Sequence, residues 1–175
     1  MNLSDHFTLE EAVRSSTAER MGIVNLALPA MVDNARVAAE GMEEVRSLLG
    51  DNGIHVDSWI RCEALERVLT VSDFNAWCAK HGRPLRNDAD WAEYFARKGH
   101  PKGFAIDFRC PGYGTPLEIV QTIAKSGIKF DQCLMEGSWV HISFDPQMRQ
   151  QVMTVTFKDG AATYSKGVAN ESINN

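Results

Sequence analysis

Three residues that lie far apart in the chain have the side-chain types of a zinc site. His100 is followed seven residues later by Asp107, and His141 lies within the largely apolar string Trp139–Phe144. Two imidazoles and one carboxylate can hold zinc in three positions and leave the fourth for water, which is the arrangement of a catalytic metal. Taken alone, polar residues at such spacing are also typical of side chains that are simply hydrogen-bonded.

The local sequence around these residues predicts how they are positioned. Phe104–Phe108 is a short apolar run that is interrupted by Asp107, which indicates a strand with one polar residue. Trp139–Phe144 predicts a second strand, from which the ring of His141 would project. A third strand is indicated at Ile54–Ile60, where the side chains alternate in character.

Helix signals occur in several parts of the chain. Thr8-Leu9-Glu10-Glu11 is a capping box, in which side chains satisfy the free amide groups of a first helical turn. Thr115-Pro116-Leu117-Glu118 has the same pattern and predicts a helix from about Pro116 to Ser126. Apolar residues recur every three or four positions from Pro29 to Leu49, and Gly50 is suited to end that helix.

The segment between Cys62 and Gly99 has a helical composition and predicts two helices. Asn87 is suited to cap the second of them, and Gly99 stands where a helix end favours a left-handed residue. The second helix carries an aromatic stripe, which we interpret as core packing rather than as a cage for a ligand. Its members are Trp91, Tyr94 and Phe95.

Short strands dominate the last third of the chain. They are predicted at Gln132–Met135, Val152–Phe157 and Ala161–Tyr164, with a favoured hairpin turn at Asp159-Gly160. Hairpins of this kind favour antiparallel pairing. The predicted fold is therefore α+β, with a small antiparallel sheet flanked by helices.

Length and charge limit the classes of function. A chain of 175 residues is expected to form one domain, and its net charge of −5 gives no attraction to a phosphate backbone, so nucleic acid is not expected as a partner. No apolar stretch is long enough for a membrane span, so no membrane insertion is expected. The acidic start of the chain lacks the pattern of a secretory signal, which predicts synthesis in the cytoplasm. The four widely spaced cysteines are expected to be reduced thiols.

The chain resembles the zinc D-alanyl-D-alanine carboxypeptidase family, in particular the short bacteriophage-type peptidoglycan peptidases related to L-alanyl-D-glutamate endolysins. The similarity runs through most of the chain in the same order. The strings that carry it are LSDHFTLEEAVRSSTAERMGI, MEEVRSLLG, IHVDSWIRCEAL, GHPKGFAIDF, TPLEIV and FDQCLMEGSWVHISF.

The resemblance implies a single domain of the hedgehog/DD-peptidase type over residues 1–175, with a helical insertion at about 71–99 and a C-terminal hairpin at about 152–164. It implies that Zn²⁺ is held by His100, Asp107 and His141. It also implies that Arg61 binds a carboxylate of the substrate and that an acidic general base precedes the last ligand. A guanidinium fork matches a carboxylate, such as that of a terminal D-alanine.

The chain departs from the family pattern in two places. Lys98 stands where the family usually has a serine, two residues before the first histidine, so the rim of the pocket is expected to differ. The usual position of the base, three residues before the last histidine, is Ser138, and the nearest carboxylate is Glu136. We expect a tight turn at Gly137 to let Glu136 reach inward as the base, with Asp131 as the alternative.

The predicted function is hydrolysis of a peptide bond in peptidoglycan stem peptides or cross-links. Zinc lowers the pKa of a bound water toward ~7, and Glu136 would accept its proton and return it to the leaving amine. Trp139, on the strand face of His141, would form the floor of the substrate site or belong to the core. The protein would act on the cell wall after release or as a virion component, with virion proteins as partners. The alternative is a non-catalytic or weakly catalytic phage structural or binding protein that keeps the peptidase fold.

Overall fold

The computed structural model describes residues 1–158 and 161–168, and within them the chain has an α+β fold as the sequence predicts. The helices are α1 Leu9–Val13, α2 Ser16–Met21, α3 Pro29–Leu48, α4 Glu63–Leu69, α5 Val71–Lys80, α6 Asp88–Phe95 and α7 Pro116–Lys125. The strands are β1 His55–Ser58, β2 Ala105–Arg109, β3 Gln132–Glu136, β4 Trp139–Ser143, β5 Gln151–Lys158 and β6 Ala161–Lys166. A 3-10 turn at His100–Lys102 precedes β2.

The predicted helix caps are confirmed. Thr8 and Thr115 both accept a hydrogen bond from the backbone N–H three residues later, and the glutamate at that position bonds back to the cap. Pro29 starts α3 as its first residue, and Gly50 follows its end with a φ of 74°. These local signals work because each capping group lies within one helical turn of its partner.

The six strands form one sheet in the order β1-β2-β4-β3-β5-β6. The predicted antiparallel pairing is confirmed for each neighbouring pair except β3 and β5, which run parallel. The parallel pair arises because the chain crosses back after β4 to lie beside β3. Asp131 holds this crossing, since its carboxylate accepts hydrogen bonds from the backbone N–H and the guanidinium of Arg149.

The two faces of the sheet have different surroundings. Alternate residues of a strand point to opposite faces, so Ile106 and Ile142 enter the main core, where α3 and α7 also contribute side chains. Their neighbours Asp107 and His141 therefore lie on the other face. This second face lines a cavity whose far wall is formed by residues of α4, α5 and α6.

Helices α5 and α6 pack around a second, smaller core. Phe74 and Cys78 of α5 and Trp91 and Tyr94 of α6 form this buried cluster, with Trp77 and Phe95 at its edge. The rings of Phe74 and Trp91 meet edge to face with centroids 5.3 Å apart. The aromatic stripe is therefore core packing, as the sequence predicts, although Tyr94 also lines the cavity.

Several smaller predictions have different outcomes. Gly99 was expected to be left-handed at a helix end, and this is wrong, because α6 ends at Phe95 and Gly99 has a φ of −78°. A Cβ atom there would lie 2.8 Å from the Cβ of Ala105, so close packing explains the glycine. The four cysteines are free thiols, as expected. The predicted turn at Asp159-Gly160 lies outside the described residues.

Among the described residues, no helix has the length and apolar character that would let it cross a membrane.

The turn that leads into β2 depends on Gly103, so we expect Gly103→Ala to destabilise the protein. Gly103 has a φ of 89°, and an added Cβ would lie 2.4 Å from the carbonyl oxygen of Met31. Left-handed backbone alone costs a non-glycine residue about 1–2 kcal/mol, so we expect the free energy of unfolding to fall by about 2 kcal/mol or more in urea titrations. Gly53→Ala is the control, because a Cβ at Gly53 meets nothing within 4 Å. Equal stability of the two variants would contradict this reading of the turn.

Candidate metal centre

The structure brings the three predicted ligands together. One ligand atom from each of His100, Asp107 and His141 lies within 4.8 Å of the other two, which forms a group that could hold a metal ion. His100 belongs to the 3-10 turn, Asp107 to β2 and His141 to β4. Their convergence confirms that these residues form a candidate metal site, while the identity of the metal is a separate question.

Strand register explains why two of the ligands meet. Asp107 and His141 are direct cross-strand partners in the antiparallel pair of β2 and β4, so their side chains leave the same face of the sheet. The third ligand reaches that face because Gly103, with its positive φ, reverses the chain between the 3-10 turn and β2.

One of the two distances suits ligands that share a cation. The Nε2 atom of His100 lies 3.3 Å from Oδ2 of Asp107, whereas the Nδ1 atom of His141 lies 2.8 Å from Oδ1 of the same carboxylate, which is a hydrogen-bond distance. Ligands that are 2.0–2.2 Å from a tetrahedral zinc ion lie about 3.3–3.6 Å from one another. Two nitrogens and one oxygen are donor types that a metal such as zinc accepts.

Trp59 fixes the ring of His100 from behind. The Nδ1 atom of His100 lies 2.7 Å from the carbonyl oxygen of Trp59, and since a carbonyl only accepts, the proton must be on Nδ1. Nε2 then presents its lone pair toward Asp107, which is the tautomer that binds a metal. The indole of Trp59 is fully buried and donates to the carbonyl oxygen of Gly103 at 2.8 Å, so one residue orients both ends of the turn.

Arg61 has a role that the sequence did not predict. Its Nη2 donates to Oδ2 of Asp107 at 2.6 Å, its Nη1 to Glu66 at 3.3 Å and its Nε to Ser58 at 2.8 Å. The guanidinium is thus a support for the Asp107 ligand. Its predicted contact with a substrate carboxylate stays a prediction, for which only the remaining hydrogens of Nη1 and Nη2 are available.

Burial and charge set the protonation of the ligands. Burial lowers the pKa of His100 and the nearby Arg61 charge lowers it further, so this imidazole is neutral. Burial alone would raise the pKa of Asp107, but His100, Arg61 and His141 together hold it well below its usual range. Burial acts to lower the pKa of His141, yet the hydrogen bond and charge of Asp107 raise it above its ordinary value. Asp107 is therefore a carboxylate at neutral pH.

Glu136 lines the same cavity as the three ligands. It ends β3, and the following Gly137 has a φ of 61°, which is the tight turn that the sequence predicts. The Nε1 atom of Trp139 donates to Oε2 of Glu136 at 3.1 Å. Burial raises the pKa of Glu136, with a smaller opposing effect from His141. Asp131, the alternative base, is not among the cavity-lining residues and is bound by Arg149.

The cavity has a volume of about 620 Å³, which is within the range of sites that bind small molecules and short peptides. The sheet side contributes Leu134, Glu136, Trp139 and His141, and the C-terminal hairpin adds Phe157 and Tyr164. Trp139 therefore lines the cavity, with its ring centroid 6.2 Å from that of Phe157, and its predicted contact with substrate stays a prediction.

Some residues that shape the site were not identified from the sequence. Glu66 is 1% exposed and pairs with Arg61, yet it looks like any acidic residue of a helix. Trp59 orients the His100 ring through its backbone carbonyl, and because every residue has a backbone carbonyl, the sequence gives no sign of this contact. Lys98 carried a signal, because it replaces the serine of the family pattern, and it does line the cavity.

Searches of this chain against models of protein families and against curated proteins found no match.

Metal binding is expected to depend on His141. Wild-type protein titrated with Zn²⁺ in a calorimeter should bind one ion, and His141→Ala should weaken the affinity by more than about 100-fold, since loss of even an outer-shell partner costs 10–100-fold. His55→Ala removes an exposed imidazole of β1 and should bind zinc as the wild type does. Unchanged zinc affinity in folded His141→Ala protein would contradict the assignment of this ligand.

Proposed function

We propose that this protein is a zinc-dependent peptidase that hydrolyses a peptide bond in peptidoglycan stem peptides or cross-links. The observation that carries the proposal is that a two-histidine, one-aspartate group that could hold a metal and the half-buried Glu136 line one cavity. The substrate class comes from the resemblance to the bacteriophage-type peptidoglycan peptidases. Access to the wall would follow release from the cell or incorporation into a virion.

The residues present fit zinc. Two imidazole nitrogens and a carboxylate oxygen are donors that zinc accepts, and three protein ligands would leave a coordination position open for chemistry. When bound, zinc would polarise the scissile carbonyl. It would also lower the pKa of water, so that hydroxide is available as the nucleophile at neutral pH. The protein's part is to hold the three ligands and to move the protons.

Glu136 is suited to proton transfer. It is placed on the cavity side of the β3–β4 hairpin, and burial keeps its pKa above the usual value, which makes the carboxylate a better proton acceptor. Its carboxylate would take the proton of the attacking water, and the resulting carboxylic acid would donate that proton to the nitrogen of the leaving amine. The bond from Trp139 orients the side chain for both steps.

Neighbouring residues fix the orientation of two of the three candidate ligands. Arg61 and Glu66 fix the Asp107 carboxylate from the protein side, and Trp59 fixes the His100 ring. Such outer contacts keep ligand geometry and protonation constant during turnover. A structural or binding role for the metal alone would not need the half-buried Glu136 in the same cavity.

The first test is cleavage of purified muropeptides by the zinc-loaded protein, with Glu136→Gln as the variant. We expect Glu136→Gln to lower kcat by roughly 100-fold or more, because it removes a general base, while zinc binding is retained. Products are identified by mass spectrometry, and Glu44→Gln on the exposed face of α3 serves as the control.

A zinc-loaded wild type that cleaves no wall peptide would contradict the proposal and favour the phage structural or binding protein. Equal turnover by Glu136→Gln and wild type would support the hydrolase function but would show that Glu136 is not the general base.

The pH profile gives a second prediction. A general base acts only when deprotonated, so kcat/KM should fall as pH drops through the raised pKa of Glu136, and this acid limb should lie above 4.5. Because the Trp139 hydrogen bond lowers that pKa, Trp139→Phe should move the limb to higher pH. Phe157→Leu changes the neighbouring ring without removing the bond and should leave the limb in place. A limb that stays fixed or moves to lower pH in Trp139→Phe would contradict the role of this bond.

A further inference from the structure

The four residues Trp59–Cys62, which connect β1 to α4, support two of the three candidate ligands. The carbonyl oxygen of Trp59 accepts a hydrogen bond from Nδ1 of His100 at 2.7 Å, and Nη2 of Arg61 donates to Oδ2 of Asp107 at 2.6 Å. This segment belongs to neither a helix nor a strand, so no regular backbone pairing fixes its position. The contacts that hold the segment therefore also hold the ligands.

The side chain of Asn25 holds the backbone on both sides of Arg61. Its Nδ2 donates to the carbonyl oxygen of Ile60 at 2.8 Å, and its Oδ1 accepts from the backbone N–H of Cys62 at 2.8 Å. These two groups belong to the peptide bonds that precede and follow Arg61, so neither peptide can turn without breaking a bond to Asn25. Nδ2 also donates to the carbonyl oxygen of Val13, the last residue of α1, at 2.8 Å.

The three bonds of Asn25 require a carboxamide. The side chain donates twice and accepts once, whereas a carboxylate can only accept. The bonds span 12, 35 and 37 residues of sequence. The backbone around Asn25 is itself fixed at both ends, because Gly22 ends α2 with a φ of 64° and Pro29 begins α3. Asn25 therefore anchors the segment to a part of the chain that is already in place.

Two further contacts from the start of the chain support Trp59–Cys62. The backbone N–H of Ile60 donates to the carbonyl oxygen of Ala12 at 2.9 Å. The ring of Phe7 is buried and meets the indole of Trp59 edge to face, with centroids 6.1 Å apart. Among the described residues, those that line the cavity all lie at or after Arg61 in the chain. Residues 1–28 can therefore act on the site only through other residues.

We propose that Asn25 is a positioning residue for the candidate ligands His100 and Asp107. It acts on His100 through Trp59 and on Asp107 through Arg61. Because Trp59 and Arg61 are separated by a single residue, one displacement of this backbone disturbs both ligands. Contacts outside the ligand set fix ligand orientation and thereby metal affinity. The inference goes beyond the proposed function, since it concerns how the ligands are held and not what a bound metal does.

The first experiment follows two side-chain protons by NMR in the metal-free, full-length protein. They are Nδ1–H of His100, which bonds to Trp59, and Nε–H of Arg61, which bonds to Ser58. We expect Asn25→Ala to speed the exchange of both protons with water by roughly tenfold or more, because a loosened segment opens locally and breaks both bonds.

Asn52→Ala is the matched control. It also removes a half-buried amide that donates to a backbone carbonyl, that of Leu49 at 2.7 Å, but Asn52 has no bond to Trp59–Cys62 and should leave both exchange rates unchanged. Asn25→Asp is the second variant, in case Asn25→Ala does not fold. It keeps the acceptor and loses both donors, so the same two protons should exchange faster. Equal exchange rates in the wild type and in a folded Asn25 variant contradict the proposal.

Zinc affinity is the second readout. We expect folded Asn25→Ala to bind zinc roughly tenfold more weakly than the wild type, at the lower end of the 10–100-fold loss that outer contacts cause. Asn52→Ala should keep the wild-type affinity. A wild-type protein that binds zinc, with the same affinity as folded Asn25→Ala, contradicts the positioning role even where the protons exchange faster.

The positioning role and the proposed function can fail separately. A zinc-loaded wild type that cleaves no wall peptide contradicts the hydrolase, while weaker zinc binding by Asn25→Ala still supports the role of Asn25. If the wild type binds no zinc, the metal centre is contradicted, and the exchange rates in the metal-free protein decide whether Asn25 positions the two side chains.

Discussion

The carboxylate of Asp107 is the group on which the rest of the site depends. An unpaired charge inside a protein is very costly, yet this side chain is buried, and it is stabilised by Arg61 on one side and by the imidazoles of His100 and His141 on the other. Burial and these contacts together hold the pKa of Asp107 well below its usual range, lower the pKa of His100 and raise the pKa of His141. The arrangement also leaves two imidazole nitrogens and a carboxylate oxygen facing a common point, which is what a divalent cation needs.

The fold can be understood as the means of placing that carboxylate. Antiparallel register sets His141 opposite Asp107, and the turn clamped by Trp59 and Gly103 returns His100 to the same face. The apolar residues on either side of Asp107 point into the main core, so the strand cannot shift without exposing them. The helices α4 to α6 then enclose the polar face and turn it into a cavity.

Local signals in the sequence were enough to predict the caps at Thr8 and Thr115 and the long helix α3, whereas the three candidate metal ligands were predicted from the family resemblance. Contacts over long distances were not predictable in this way. Arg61 and Asp107 are 46 residues apart, so nothing in the sequence shows that the guanidinium supports a ligand. The parallel pairing of β3 with β5 depends likewise on the Asp131–Arg149 contact, which forms only after the chain has crossed back. Gly99 was misread because a glycine needed for close packing against Ala105 looks the same as one needed for a left-handed turn.

The most direct measurement is anomalous X-ray diffraction at the zinc edge from crystals of the zinc-loaded protein. The result expected here is one strong peak within about 2.0–2.2 Å of Nε2 of His100, a carboxylate oxygen of Asp107 and Nδ1 of His141. A peak bound by other residues, or no peak at these three side chains under saturating zinc, would contradict the central claim that they form one metal centre.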